Sequence, residues 1–241
     1  MKTFKLGNSL QKFAPIAAVL LLGSLCGSVM FAGTVATCAD GAFGPTAGNT
    51  VFPANCTGDV TGTLDAWMSS AFSYTTNTGT TSGFIYSAVY DDAGTLDFYY
   101  QVVNNASSAD AISTLSVSDF TQAPTTNAAY WTDGSALTGT GFVDGTTSPQ
   151  TADRYSDGST IQFAFYPPSS STTEIAPGES SDVEIVSTNA TTYSAGFAAV
   201  IDSGTDTVAA FQPGSVPEPA TLGLMGLGLI GLASLRRRLR R

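Results

Sequence analysis

Residues 84–103 read FIYSAVYDDAGTLDFYYQVV and form the clearest structural signal in the chain. Two runs rich in aromatic and β-branched residues flank a short turn that contains Asp and Gly, which is typical of a β-hairpin. In the second run, alternate positions are apolar and would share one face of a strand: Leu96, Phe98, Tyr100 and Val102. We therefore predict a hairpin that buries this face.

Similar strand patterns recur through the middle of the chain. They lie at Ile112–Phe120, Thr160–Tyr166, Asp182–Ser187, Ala195–Ile201 and Thr207–Phe211, and they are separated by Gly, Asn, Asp and Pro. Only Leu64–Ala71 suggests any helix, and then no more than a turn or two. The pattern predicts an all-β fold for residues 37–215, in the form of an antiparallel β-sandwich ectodomain.

Composition and charge exclude several classes of chemistry. The chain has 241 residues, no His, 9 basic and 19 acidic residues, and a formal net charge of -10. Without His there is no Ser-His-Asp or Cys-His nucleophile and no His-containing zinc site. All 19 acidic residues lie between Asp40 and Glu218, where Arg154 is the single basic residue. Such a charge repels phosphates, so we predict no nucleic-acid partner.

Residues 1–36 are predicted to be a signal peptide. A basic start is followed by the apolar run Phe13–Leu25, which has signal-peptide length and is short for a membrane span. Thr34–Ala36 fits the small-x-small rule best, so we expect cleavage after Ala36. Two alternatives remain open: an uncleaved membrane anchor, and a lipoprotein signal at Cys26, which the bulky Leu25 disfavours.

Export determines how the cysteines are interpreted. Cys26 would leave with the signal peptide, and Cys38 and Cys56 would remain as an even pair in an oxidising compartment. We predict that Cys38 and Cys56 form a disulfide, which would stabilise the domain by roughly 3 kcal/mol.

Residues 216–241 read VPEPATLGLMGLGLIGLASLRRRLRR. The uncharged run Leu222–Leu235 is predicted to be a transmembrane helix, although it would span only about 21 Å of the ~30 Å hydrocarbon core. A terminal cluster of basic residues is expected to stop transfer and to keep the tail inside: Arg236, Arg237, Arg238, Arg240 and Arg241. The two prolines of Val216–Pro219 favour an extended backbone that a processing enzyme can bind.

This C-terminal layout resembles the PEP-CTERM sorting domain of Gram-negative bacterial export proteins. The same signal is also called an ice-binding protein C-terminal domain, a name that does not show ice binding here. Val216, Pro217, Glu218 and Pro219 carry the motif, and the Gly/Leu-rich run and Arg-rich end follow it. The resemblance implies processing by a membrane-embedded transpeptidase, an exosortase, and a link to exopolysaccharide and biofilm. The alternative is an ordinary tail anchor with a coincidental Pro-Glu-Pro.

Candidate chemistry in the ectodomain is sparse. Asp91, Asp92 and Asp97 could bind Ca²⁺ through carboxylate oxygens, but Asp and Gly are also the residues that a hairpin turn needs. Arg154 has acidic neighbours in sequence and is expected to pair with an acid. We predict no catalytic residues, no metal site beyond these weak candidates, and no cofactor.

Aromatic and hydroxyl-rich stretches offer further candidates. Trp67 and Trp131 could stack on sugars if a sheet face exposes them. The run Thr75–Thr81 could bind ice only as part of a repeated flat array, and the sequence shows one run and no repeat. The glycosylation pattern Asn-x-Ser/Thr occurs at Asn55 and Asn105, and again at Asn189.

Three hypotheses for function follow. The first is a non-catalytic protein of the cell envelope or extracellular matrix, held in the inner membrane by its C-terminal helix before processing. The second is a carbohydrate- or Ca²⁺-binding module of that matrix. The third is a glycan-active enzyme, which would require two carboxylates roughly 5–10 Å apart in a cleft.

Overall fold

The computed structural model describes residues 41–43, 48, 50–56, 62–123, 126–166 and 173–214. The predicted signal peptide, Cys38 and the whole C-terminal segment from residue 215 lie outside these ranges. The described residues form β-strands, turns and one short 3₁₀ helix at Gly134–Ala136.

The strands of the described residues are numbered in chain order. They are β1 (Gly41–Phe43), β2 (Thr50–Val51), β3 (Ala54–Asn55), β4 (Thr63–Thr75), β5 (Thr80–Asp92), β6 (Thr95–Asn104), β7 (Thr114–Ser118), β8 (Thr126–Trp131), β9 (Thr151–Arg154), β10 (Thr160–Ala164), β11 (Val183–Thr188), β12 (Tyr193–Ile201) and β13 (Thr205–Pro213). Each strand pattern predicted between residues 84 and 211 coincides with one of them.

The strands form two sheets. The larger sheet has the order β1-β8-β11-β6-β5-β4, with β3 also paired to β8, and the smaller has the order β13-β12-β7-β10-β9-β2. Named strands in the described ranges pair antiparallel, except that β3 runs parallel to β8. The all-β prediction is confirmed, and the sandwich contains this one parallel pair that the prediction did not include.

The predicted hairpin is the centre of the larger sheet. In β5 and β6, Ala88 lies opposite Tyr99 and Val89 opposite Phe98. The two-residue turn between the strands places Ala93 at φ 53° and Gly94 at φ 98°. Positive φ at both positions suits the right-handed twist of the flanking strands. The apolar face predicted for β6 points into the core, where its four side chains are buried.

The segment Leu64–Ala71, whose pattern suggests a helical turn or two, is instead extended and belongs to β4. Alternate residues from Ala66 to Tyr74 face the core, and the chain pairs with β5 along its whole length. Small Ala and Ser residues blur this period-2 pattern in the sequence. A register shift between Leu64 and Ala66 interrupts it further. The hairpin partner therefore imposed a conformation that local sequence did not specify.

Two apolar clusters hold the fold together. The first lies between the sheets and includes four fully buried residues: Phe98, Phe120, Phe163 and Val186. The second lies on the outward face of the larger sheet. It is covered by residues 132–147, called here the cover loop.

Candidate functional site

The last described strand ends immediately before the predicted sorting segment. Pro213 lies opposite Tyr193 in β12. The next residue, Gly214, donates its N–H to the Thr192 carbonyl at 2.8 Å, and the Thr192 hydroxyl donates to the Gly214 carbonyl at 3.2 Å. The chain is therefore fastened to the domain up to Gly214. The motif residues Val216–Pro219 and the terminal arginines lie outside the described residues.

The free edge of β13 is bonded to side chains of the larger sheet. Ser70 donates its hydroxyl to the Ala209 carbonyl at 2.7 Å, and Tyr100 donates to the Phe211 carbonyl at 2.7 Å. The Phe211 N–H donates to the Ser87 hydroxyl at 3.1 Å. These bonds join the two sheets and make β13 an integral part of the sandwich.

No helix within the described ranges is long and apolar enough to cross a membrane. The predicted transmembrane helix Leu222–Leu235 falls outside those ranges.

Cys56 is buried next to β8 and is disulfide-bonded. Its N–H donates to the Tyr130 carbonyl at 2.7 Å, which extends the parallel β3–β8 pairing by one residue. The predicted partner, Cys38, lies outside the described residues. The Cys38–Cys56 pairing therefore remains a prediction.

The Ca²⁺ candidates form a turn in the described structure. The Asp91 carboxylate accepts the Gly94 N–H at 2.7 Å, which closes the hairpin. Asp97 lies opposite Tyr90, whereas Asp91 lies opposite Leu96, so Asp91 and Asp97 point to opposite faces of the sheet. Among the residues that the structure describes, no group of three or more acidic or Cys side chains could hold a metal ion.

Arg154 binds carbonyl groups in the described structure. Its guanidinium donates to the carbonyls of Phe120 at 2.9 Å and Ala123 at 3.0 Å, and to the Thr126 hydroxyl at 3.0 Å. Burial lowers its pKa. Its acidic neighbours bond elsewhere: Asp153 accepts the Thr50 hydroxyl, and Asp157 accepts the Ser159 N–H and hydroxyl. The side chain therefore clamps two loops together.

The threonine run covers the last residue of β4, the turn at residues 76–79 and the first two residues of β5. The Thr76 N–H donates to the Gly79 carbonyl at 2.8 Å, and the Thr76 hydroxyl donates to Asp110 at 3.0 Å. Thr78 also donates to Asp110. These threonines cap a tight turn and do not lie in a flat array.

The two tryptophans have different environments. Trp67 in β4 is 47% exposed, whereas Trp131 at the end of β8 is 7% exposed and belongs to the cluster beneath the cover loop. The suggestion that Trp131 could stack on a sugar is therefore wrong. Strand periodicity shows which residues share a face, but it does not show which part of a face a loop will cover.

Trp67 lies in a row of aromatic residues on the outward face of the larger sheet. Opposite pairs across β4 and β5 are Trp67–Ala88, Ser69–Tyr86 and Ala71–Phe84, and members of a pair share one face. Phe84 is 38% exposed. Its ring is stacked on Tyr86 with centroids 6.3 Å apart and an interplanar angle of 19°. We call Trp67, Phe84 and Tyr86 the aromatic strip.

The cover loop borders this strip on one side. Phe142 is buried with its ring centroid 6.2 Å from that of Tyr86. Gly141 lies so close that a Cβ there would be 2.6 Å from the Tyr86 ring. Gln101 pins the loop, because its side chain donates to the Val143 carbonyl at 2.7 Å and accepts the Val143 N–H at 2.9 Å.

A shallow pocket of about 230 Å³ lies at the end of the strip. It is lined by Leu64 and Tyr90 from the sheet and by Leu137 and Thr138 from the cover loop. The register shift in β4 places Leu64 opposite Tyr90, on the same outward face as Trp67. Burial raises the pKa of Tyr90 to about 12, so its hydroxyl stays neutral.

The strip carries no charge, which is unusual in this acidic domain. Residues 66–90 contain no Asp, Glu, Lys or Arg. Glu184, by contrast, is fully buried on the inward side of the sheet, and Ser181 donates to it at 3.3 Å. Burial raises the pKa of Glu184 well above its usual value and favours the neutral acid.

Comparison with known families identifies the segment that follows Gly214. A family model described as the PEP-CTERM protein-sorting motif matches residues 215–238. Comparison with curated proteins and with solved structures found no match. The chain therefore carries a PEP-CTERM protein-sorting motif, which supports an exported protein that an exosortase-type enzyme processes.

Proposed function

We propose that this protein is a non-catalytic component of the cell envelope or extracellular matrix, associated with exopolysaccharide. Residues 1–36 direct export, and residues 37–215 form the ectodomain. Residues 216–241 hold it at the inner membrane through the helix 222–235 until an exosortase-type enzyme acts. The ectodomain then resides in the envelope or the medium.

The position of β13 is the observation that supports this proposal most. The strand ends at Pro213, Gly214 is held by Thr192, and the motif begins at residue 215. Within the described part of the chain, the hydrogen bonds that attach β13 to the larger sheet are made by residues upstream of the motif. Cleavage within residues 216–220 would therefore release a complete domain.

The same arrangement restricts how a processing enzyme can approach. Only Ser215 separates the fastened Gly214 from Val216, the first residue of the predicted recognition strip. The enzyme must therefore bind Val216–Pro219 close to the domain surface around Thr192 and Tyr193. The two prolines favour an extended backbone, which an enzyme groove can bind.

The other hypotheses have less support. For a Ca²⁺ site, Asp91 already closes a turn, and Asp97 points to the opposite face. For a glycan-active enzyme, the fully buried Glu184 faces the core and not the pocket beside Tyr90. The carbohydrate-binding hypothesis has a specific observation in its favour, the aromatic strip, and is developed below.

Replacing Pro217, Glu218 and Pro219 by alanine tests the sorting proposal. The apolar run and terminal arginines are unchanged, so membrane insertion should persist, while release should fall at least tenfold because the recognition strip is lost. Cell fractionation with mass measurement of each fraction reports both. Ser203→Ala, at an exposed position between β12 and β13 and outside the motif, is the control and should be released like the wild type.

A chain that ends at Gly214 separates release from folding. It retains β13 and should appear outside the membrane as folded protein. The proposal is contradicted if the wild type and the triple variant are released equally, or if both stay membrane-bound at full length.

A further inference from the structure

We infer that the aromatic strip, with the pocket beside Leu64 and Tyr90, is a binding site for an uncharged polysaccharide chain. This inference deepens the proposed function, since it names the class of matrix partner that the ectodomain contacts. It rests on the exposure of Trp67 and Phe84, the absence of charged residues from the stretch 66–90 that carries them, and the adjoining pocket.

The aromatic faces are suited to sugar rings. A pyranose presents C–H groups on its faces and hydroxyls around its rim, so it can stack on a flat ring while it hydrogen-bonds to polar neighbours. Trp67 is 47% and Phe84 38% exposed, so part of each ring is accessible to a sugar, and hydroxyl-bearing Ser69 lies opposite Tyr86. Trp67 is offset from Tyr86 by two residues along neighbouring strands, a diagonal of about 7–8 Å.

The surface is preformed. Strand β5 is paired on both sides, by β4 and β6, so Phe84 and Tyr86 are carried on a central strand of the sheet. Tyr86 is further held by Phe142 and by the backbone at Gly141. A rigid surface of this kind loses little conformational entropy when a ligand binds.

The charge distribution selects the class of glycan. Residues 66–90 are free of charged side chains, although the domain is strongly acidic. The surrounding negative charge would repel a polyanionic polysaccharide such as a uronate polymer. The strip itself offers no carboxylate to pair with a cationic one. An uncharged polysaccharide is not repelled by the acidic domain and needs no carboxylate partner, so it is the class of glycan that fits the strip.

A second protein copy fits this surface less well. An aromatic side chain buries about 150–250 Å², so the half-exposed Trp67 and partly exposed Phe84 offer on the order of 200 Å² of accessible ring. A stable protein interface needs about 800 Å² on each partner. Strand addition at the β4 edge is also hindered, because Asp206 accepts the Ser73 N–H at 2.7 Å.

The pocket beside Leu64 and Tyr90 offers a place for one end of a bound glycan chain. Its volume of about 230 Å³ suits one sugar ring, and it lies on the same outward face as Trp67. Leu64, Tyr90 and Leu137 line it together with Thr138, so it combines apolar and polar groups. A glycan could therefore run along the strip with one residue seated in the pocket.

The test measures binding of full-length protein in detergent to soluble uncharged polysaccharides, namely a β-glucan, a mannan, a galactan and a xylan, with alginate as the charged control. We expect at least one uncharged polymer to retard the protein in affinity electrophoresis, and alginate not to. Trp67→Ala and Phe84→Ala should each weaken binding at least tenfold. Trp67→Tyr should restore part of it.

Phe197→Ala is the matched control. Phe197 is 62% exposed on the smaller sheet, so its loss removes an even more accessible aromatic ring from the other sheet and should leave binding unchanged. The inference is overturned if no uncharged polymer binds, if alginate binds as well as they do, or if Trp67→Ala binds like the wild type. It is also overturned if Trp67→Ala abolishes self-association, since the occupant is then a second copy. Sorting plays no part in this assay, so its failure leaves the sorting proposal standing.

Discussion

The outward face of the larger sheet has two halves that are alike in composition and opposite in burial. Under the cover loop, Tyr99 and Trp131 are buried, and the rings of Tyr90 and Tyr99 lie 4.6 Å apart. Beyond the loop, Trp67 and Phe84 remain exposed. Both halves present aromatic side chains from strands of the same sheet.

The difference arises from the cover loop and its attachment. Gln101 accepts and donates hydrogen bonds at Val143, and its amide also donates to the Ser181 carbonyl at 2.8 Å. The loop brings Leu137 and Phe142 onto the aromatic residues of one half, and it ends its coverage at Tyr86. Aromatic residues therefore stabilise the fold in one half and are free for contacts in the other.

The largest expected effect distinguishes the two tryptophans. Trp131→Ala should lower the free energy of unfolding by about 3–5 kcal/mol, since it leaves a cavity in a packed cluster. Trp67→Ala should change it by only about 0.5 kcal/mol, since half of that side chain is already in water. Chemical denaturation followed by circular dichroism measures both. Equal losses in the two variants would show that the halves do not differ as described.

A smaller effect is expected from the attachment of the loop. Gln101→Leu keeps the side-chain size but leaves the Val143 N–H and carbonyl without their partner, at a cost of about 1–3 kcal/mol. Amide exchange at Val143 should accelerate, and the loop should become a protease site. Gln162→Leu is the control, because Gln162 bonds through its side chain to the exposed Tyr155 hydroxyl and holds no loop in place. If Gln101→Leu leaves Val143 as protected as in the wild type, the clamp is not what holds the loop.

A further effect concerns the inward side of the same sheet and depends on pH. Because burial raises the pKa of Glu184 in the folded state, its contribution to stability is fully present below the unfolded pKa of about 4.5. That contribution is lost as the pH rises through the folded pKa. Each unit of pKa shift corresponds to about 1.4 kcal/mol. Glu184→Gln cannot ionise, so its stability should exceed that of the wild type increasingly from pH 4 to pH 8.

This prediction is tested by how the difference in melting temperature changes with pH, and not by the difference at one pH. Melting temperatures of the wild type and Glu184→Gln are measured across the pH range, and their difference is plotted against pH. Asp65→Asn, at an exposed position in β4, removes one carboxylate without removing a buried one. If the melting temperatures of the wild type and Glu184→Gln change equally with pH, Glu184 is not held as a neutral acid.

Much of the architecture was predictable from local pattern. Residues 84–103 form the hairpin with the predicted face buried, because strict alternation of large apolar residues leaves one way to bury them. Leu64–Ala71 was not predictable as strand, because its Ala and Ser residues carry little periodic signal and a register shift at Leu64 breaks the alternation.

The candidate site divides in the same way. The sorting motif could be identified from the sequence alone, because the order of residues in 215–238 is enough to match the family model. The absence of charged residues from the stretch 66–90 is also evident from the sequence, because it depends only on residue identity. These features follow from composition and order along the chain.

Which tryptophan is exposed could not be read in this way. Trp67 and Trp131 both occur in strands, and both point outward from the same sheet. Their burial differs because residues 132–147 fold back over one half of the face and are held there by Gln101, a residue far away in sequence. Burial is a property of what packs against a side chain, so it emerges when the loop, the sheet and their hydrogen bonds come together.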